Sequence, residues 1–395
     1  MSRSAISIPP SQSQHADDPS YDDSNSPSIK LQTTINESIT RSLSSRRPLL
    51  THLNADTTWL LSLPYPQYFT GNNGKIYYHI LIDPWLRGGQ SDVAKFFSQQ
   101  WHVEDSAVQS IAELEEAIRG IEDAARGRPL YPALPSQVSS ALEDNEEMES
   151  VPGSNTKISS EEERQSPLDA IIISHEFTDH MHKDTLLEAP PSVPVFASTK
   201  AASAIRSWKH FDSVTEVPRF AGDWRTSALS PLPKWVRVSR VAFAGQDLLY
   251  YHSAVMISFS ASDDDGEAEA VIYTPHGISP ADLAPVFTAQ PAIRTLALLH
   301  GLSDVSLGAQ LNMGAHNGLK VQRLLDAKYW IGTHDEVKKG GGLVSWFLAR
   351  KNISLKEAIE REKEEKGDEM RGSMVEGLKE VRFEDLRNGG SLVLE

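Results

Sequence analysis

Six short apolar runs in this 395-residue chain each close on an aspartate or a histidine. ILI ends at Asp83, IIIS at His175, LLYY at His252, VIYTP at His276, LALL at His300 and WIGT at His334. Runs of this length, rich in Ile, Leu and Tyr, read as buried strands. Strand ends gather along one edge of a sheet, so residues far apart in sequence are expected to converge there. Between them lie helical signals. Val108, Ile111, Leu114, Ile118 and Ile121 recur at three-to-four spacing, predicting an amphipathic helix within Val103 to Ala125. AASAIRSW follows the strand PVFAST, and NGLKVQRLLDA follows LALLHG. Ser354 and Glu357 form a capping box that opens a helix over about Leu355 to Glu365, with more helix near Val375 to Val381. HLNADTTWLLSL and KIYYHILIDPWL flank the turn signal GNNG and predict an antiparallel pair. WVRVSRVAFA, AVMISFS and EAVIYTP read as further strands. Strands and helices alternate in blocks, which predicts an α/β fold with mixed sheets.

Composition sets the boundaries. Residues 1–48 are dominated by Ser, Pro, Gln, Asp and Asn and are expected to be a disordered tail; about 132–167 are Ser, Pro and acid-rich and are expected to be a linker. That leaves a domain over 49–350 with an insertion at 87–167, and a helical extension over 351–395. Trp59, Tyr77, Tyr78, Trp85 and Trp330 are expected in the core.

The chain has no cysteine, so any metal must be held by His, Asp or Glu. A net charge of −16 opposes attraction to nucleic acid and anionic lipid. No apolar run approaches the roughly 20 residues of a transmembrane helix, and the first residues lack a signal-peptide core. A cytosolic location is expected, with the nucleus second. No glycine-rich phosphate loop is present.

The densest chemical text is SHEFTDHMHKDTL, residues 174–186, which places His175, Asp179, His180, His182 and Asp184 just beyond a buried strand. Neutral imidazoles with hard carboxylates suit Zn²⁺, Fe²⁺ or Mn²⁺. Lys338 and Lys339, followed by Gly340 to Gly342 and the expected helix LVSWFLARK, offer a contact for an anionic substrate group.

Over roughly residues 51–348 the sequence resembles the metallo-β-lactamase superfamily. ILIDPWL matches its first Asp-bearing strand, IIISHEFTDHMHKDTL its His-x-His-x-Asp-His loop, VIYTPHGI its bridging-Asp motif, and WIGTHDEVKKGGG its closing histidine. The order is most similar to the branch of ascorbate-phosphate lactonase and N-acyl-phosphatidylethanolamine phospholipase D. The resemblance implies an αββα sandwich with metal at one edge, and a hydrolase of an ester, lactone or phosphodiester in a small-molecule substrate. Two positions depart from the pattern: Phe177 stands where the family has a histidine, and His276 where it has the bridging Asp. Carried over, Asp179, His180 and His334 remain, with His276 as a fourth donor and His175 left from the other metal. One divalent metal is therefore expected, zinc first, with Asp179 and His180 catalytic. Asp83, His182, His252 and His300 are expected behind these ligands, and His316 at the surface or pocket wall. The alternative is a catalytically silent relative that uses the fold as a binding or scaffold module; a non-haem iron oxidoreductase is a third reading. Substrate and oligomeric state are not legible in the sequence.

Overall fold

A computed structural model of the chain describes residues 26–69, 71, 73–91, 98–128, 165–242, 251–260, 266–341, 349–366 and 381–395. Most of the linker expected over about 132–167, namely 132–164, lies outside the described residues, as do the first 25 residues and the segment 367–380.

Two mixed sheets face each other. The first runs in the order Ser391–Val393, Leu49–His52, Trp59–Pro64, Tyr77–Ile82, Ala170–Ile173, Val195–Ala197, Val214–Glu216. The second runs Phe383–Glu384, Tyr329–Ile331, Ile293–His300, Ala268–Thr274, Ala254–Phe259, Val236–Val241. Side chains alternate across a strand, so each sheet has two apolar faces. Trp59, Leu61, Ile80, Ile82 and Ile172 of the first sheet meet Val238, Ile257, Val271, Tyr273, Leu299 and Ile331 of the second in one buried cluster. The opposite face of the first sheet carries Leu60, Leu81, Ile171 and Ile173, which pack on Ile111, Leu114, Ile118 and Ile121 of the helix Ile111–Ala125. The outer face of the second sheet, with Met256, Ala270, Ile272 and Leu298, packs on Val321 and Leu325 of the helix Ala315–Leu325. Helix, sheet, sheet, helix is the αββα sandwich expected from the sequence.

Strand direction brings the site together. Tyr77–Ile82, Ala170–Ile173 and Val195–Ala197 are mutually parallel, as are Ala268–Thr274, Ile293–His300 and Tyr329–Ile331. Their carboxyl ends therefore lie together, and the residues just past them face one cleft.

Three expectations need correction. Residues 1–48 are not a uniform tail: Pro27–Ser45 is a helix, started by Ser26 and docked through Leu31, Ile35 and Ile39. These residues recur every fourth position, a stripe that an average over Ser, Gln and Asn hides. Residues 351–395 are not a helical extension. After the helix Leu355–Lys366, the strands Phe383–Glu384 and Ser391–Val393 pair with Tyr329–Ile331 and Leu49–His52 and complete the two sheets. The last three residues of the expected helix LVSWFLARK instead belong to the strand Ala349–Asn352, paired with Ser303–Leu307, while 342–348 lie outside the described residues.

Candidate metal centre

The turn after Ala170–Ile173 supplies three of the cluster's side chains. The N–H groups of His180 and Met181 both donate to the Phe177 carbonyl, at 2.9 Å each, and this tight turn throws Asp179 and His180 back towards His175. His276 follows Ala268–Thr274 on a turn through Gly277, whose φ is +82°. A Cβ there would lie 2.6 Å from Met313 Cβ, so glycine allows both the backbone and the close approach. His334 follows Tyr329–Ile331 at φ 60°, and Asp83 follows Tyr77–Ile82 at φ 44°. Left-handed backbone at non-glycine residues costs roughly 1 kcal/mol or more and tends to collect at functional sites.

Two groups of donor atoms result, each within 4.8 Å: His175, His180 and His276, and Asp179, His180 and His334. All five residues are buried. The groups share His180, whose Nδ1–H donates to Asp83 Oδ2 at 2.7 Å and leaves only Nε2 for a metal. One nitrogen lone pair serves one ion, so the two groups cannot both be filled through His180.

The orientation of the rings is informative. His276 Nδ1–H donates to Asn312 Oδ1 at 2.8 Å, with the Leu311 carbonyl at 3.2 Å. Its Nε2 is therefore an unprotonated lone pair in the neutral ring. It faces His180 Nε2 at 3.2 Å. Nitrogens held at that distance call for a cation between them, either a proton carried on His180 Nε2 or a metal ion; two nitrogens bound to one tetrahedral ion at ~2.0–2.1 Å would be about 3.3 Å apart. His334 repeats the pattern, with Nδ1–H donating to Asp56 Oδ1 at 3.0 Å. Neither nitrogen of His175 has a hydrogen-bond partner among the described residues. A buried polar group without a partner costs ~1–3 kcal/mol, and a bound cation would remove that cost. The donor set fits a divalent metal.

Electrostatics follow the packing. Burial, then the neighbouring His180 and His276, hold the His175 ring well below the ordinary histidine value. Burial and the rings of His334 and His180 do the same to His276, so both are neutral donors. Burial also opposes a charge on His180, but Asp179 and Asp83 outweigh it and raise its value. Burial works against the Asp179 carboxylate, yet Lys338 and His180 hold it well below the usual range.

The other expected residues divide. Asp83 accepts the Ser174 N–H at 2.7 Å and the Ser174 hydroxyl, and so braces the loop while orienting His180. The Lys338 side chain is buried, with Nζ 2.7 Å from both Asp56 Oδ2 and Asp179 Oδ2 and 5.3 Å above the Trp85 ring. Lys339 is exposed and begins the strand Lys339–Gly341. His182 caps the helix Lys183–Glu188, with its Nδ1 2.9 Å from Thr185 Oγ1. His252 Nε2 lies 3.1 Å from the Leu311 carbonyl, and His300 is held by Gly301 O and Asn317 Oδ1; neither joins the donor groups. His316 is half-buried on the helix Ala315–Leu325. The Phe177 ring lies 4.9 Å from His175 and 5.8 Å from His276, beside the cluster.

Sequence reading missed the turn Asp56-Thr57-Thr58. Asp56 orients His334, Thr57 Oγ1 donates to the Asp179 carbonyl at 2.7 Å, and Thr58 Oγ1 donates to the Asp83 carbonyl at 3.0 Å. Three consecutive side chains thus hold three separate segments of the site. It also missed His102, whose Nδ1 donates to Glu336 Oε2 at 2.7 Å and whose ring stacks 3.8 Å from Trp85. Asp56 falls in a polar turn with no periodic signal, so only the folded chain reveals its role.

No protein-family model matches the sequence, and no curated protein matches it. Among solved structures it is similar to a possible metal-dependent hydrolase from Veillonella parvula, at 13% identity over 88% of this chain and 100% of that one, with TM-score 0.48. It is similar to isothiocyanate hydrolase from Delia radicum gut bacteria at 14% identity, over 88% and 99%, with TM-score 0.47. The metallo-β-lactamase fold protein YhfI from Bacillus subtilis matches at 10% identity, over 88% and 99%, with TM-score 0.40. Likenesses this distant leave activity and substrate to be argued from the chain's own residues. No helix among the described residues is long and apolar enough to cross a membrane.

Proposed function

We propose that this chain is a metal-dependent hydrolase of the metallo-β-lactamase superfamily with a single divalent ion, zinc first and iron or manganese as alternatives. The observation that carries the reading is the 3.2 Å approach of His180 Nε2 to His276 Nε2 with both Nδ1 atoms already committed. His175, Asp179 and His334 complete the donor set. A divalent ion bound there would polarise a carbonyl or phosphoryl oxygen and make a neighbouring water more acidic. Asp83 and Asp56 would keep the His180 and His334 rings oriented, as carboxylates behind metal-bound histidines do. Asp179, with Oδ1 3.6 Å from His180 Nε2, would share the ion with His180 and so help hold the attacking water on it. The motif resemblance to the lactonase and phospholipase D branch directs a first screen to small esters, lactones and phosphodiesters.

A second reading, a silent relative that binds a partner, draws on Phe177, which fills volume beside His175 that a further ligand would need. Elemental mass spectrometry of the purified protein separates the two. About one metal per chain, lost together with hydrolysis in Asp179→Asn, is the expected result; a neutral amide is a poorer donor to a divalent ion than a carboxylate. A chain without metal at physiological zinc and iron, inactive across the screen, would leave the binding reading.

A further inference from the structure

Asp179 uses its two oxygens differently. Oδ1 lies 3.6 Å from His180 Nε2, while Oδ2, 3.8 Å from His334 Nε2, also receives the Lys338 ammonium at 2.7 Å. The same ammonium lies 2.7 Å from Asp56 Oδ2, an oxygen with no other hydrogen-bond partner among the described residues. A carboxylate shared between the imidazole cluster and a second positive charge is the arrangement of a two-cation centre, and here a side chain supplies that second charge. Lys338 is buried and capped by the Trp85 ring at 5.3 Å, so its charge is committed to this place rather than displayed to solvent.

Given the single-ion reading above, on which this rests, we propose that the Lys338 ammonium is the built-in second cation of the centre. Seated between Asp56 and Asp179, it confines the site to one divalent ion. Charge balance supports this. Asp56, Asp83 and Asp179 bring three negative charges to the histidine cluster and Lys338 one positive, which leaves two negative charges for one divalent ion to neutralise. A second divalent ion would leave the buried cluster strongly positive, and buried charge without a counter-charge is expensive. Lys338→Met removes the charge while keeping an unbranched chain of similar length. It leaves Asp56 Oδ2 and Asp179 Oδ2 facing a vacated cation position, and oxygen donors of this kind suit Mn²⁺ as well as Zn²⁺.

The test is metal stoichiometry of the full-length chain, titrated with Zn²⁺ and separately with Mn²⁺. The wild type is expected to saturate at one ion. Lys338→Met is expected to approach two, with the second ion bound more weakly, and its Mn²⁺ electron paramagnetic resonance signal should broaden from coupling between adjacent ions. Lys338→Arg, which keeps the charge, is expected to stay at one. A wild type that takes up two ions overturns the proposal without any variant, which covers the case of a Lys338→Met chain that does not fold. A folded Lys338→Met chain that stays at one ion also overturns it and leaves the metal-centre reading intact. A wild type that binds none overturns both.

Discussion

Two buried polar groups built round histidine adjoin the first sheet, one on its helix-facing side and one at the carboxyl ends of its parallel strands, and they differ in what the ring nitrogens touch. His79, on the face towards the helix Ile111–Ala125, has Nδ1 2.9 Å from Ser62 Oγ and Nε2 3.3 Å from Glu122 Oε1. Glu122 in turn accepts the N–H groups of Ile76 and Tyr77, each at 2.9 Å, and Arg126 Nη2 at 2.8 Å. Serine, histidine and glutamate in a row suggest nucleophilic chemistry, yet every nitrogen there has its partner and the group is sealed in the core. At the strand ends the opposite holds: neither His175 nitrogen has a hydrogen-bond partner among the described residues, and His180 Nε2 and His276 Nε2 face each other at 3.2 Å. The lesson is that the free lone pair, not burial or the nearness of other polar groups, separates a ligand from a structural histidine.

The widest test of this contrast is a pair of variants. His180→Ala should lower metal affinity by more than about 100-fold, beyond the loss seen for groups that only orient ligands. Glu122→Ala should leave stoichiometry unchanged and cost about 3–5 kcal/mol of stability, because it strands His79, Arg126 and two backbone donors. Equilibrium dialysis with metal analysis and urea unfolding read the two effects. A Glu122→Ala chain that loses metal, or a His180→Ala chain that keeps it, would break the distinction.

A smaller effect comes from another satisfied histidine. His52 stacks on Trp59 with ring centroids 3.8 Å apart, and its Nδ1–H donates to the Leu386 carbonyl. Burial holds its pKa down to about 4, below the ordinary 6.5. The unfolded chain therefore takes up this proton first on acidification. The stability tied to a neutral His52 is present above pH 6.5 and is lost as pH falls towards 4, by roughly 3 kcal/mol in all. His79 and His300, also lowered chiefly by burial, act with the same sign. His52→Gln should flatten the acid limb of unfolding free energy against pH by that amount. An unchanged limb would mean that His52 stays neutral in neither state or in both.

The same contrast explains what the sequence disclosed. Apolar runs ending at Asp83, His175, His276 and His334 were readable because a buried strand has a compositional signature and its end has a direction. Lys338 was readable only as a lysine beside glycines, and so as a surface contact; its burial depends on Asp56, which the chain delivers from a turn 282 positions earlier. The helix Pro27–Ser45 was hidden because Leu31, Ile35 and Ile39 are few among polar residues, although they suffice to dock it. The edge strands Phe383–Glu384 and Ser391–Val393, at two and three residues, are too short for alternation to register. Long-range polar contacts leave no period in a sequence, and that is where both Asp56 and the satisfaction of His79 lay concealed.

The finest test lies within the open cluster itself, at Asp83. Its Oδ2 fixes the His180 tautomer, and its Oδ1 holds the Ser174 N–H at 2.7 Å. Asp83→Asn keeps the shape and can still accept one of these bonds. The amide presents its NH₂ to the other, however, so either Ser174 or the His180 Nδ1–H loses its acceptor. If His180 turns or changes tautomer, its proton moves to Nε2 and the lone pair that faces His276 is lost. Metal affinity should then fall by about 10–100-fold, or ~1.4–2.7 kcal/mol, with little change in the number of ions bound at saturation. Competition with a chelator of known affinity measures it. An affinity equal to that of the wild type would show that the tautomer of His180 does not depend on Asp83, and the distinction between bare and satisfied nitrogens would then have to rest on His175 and His276 alone.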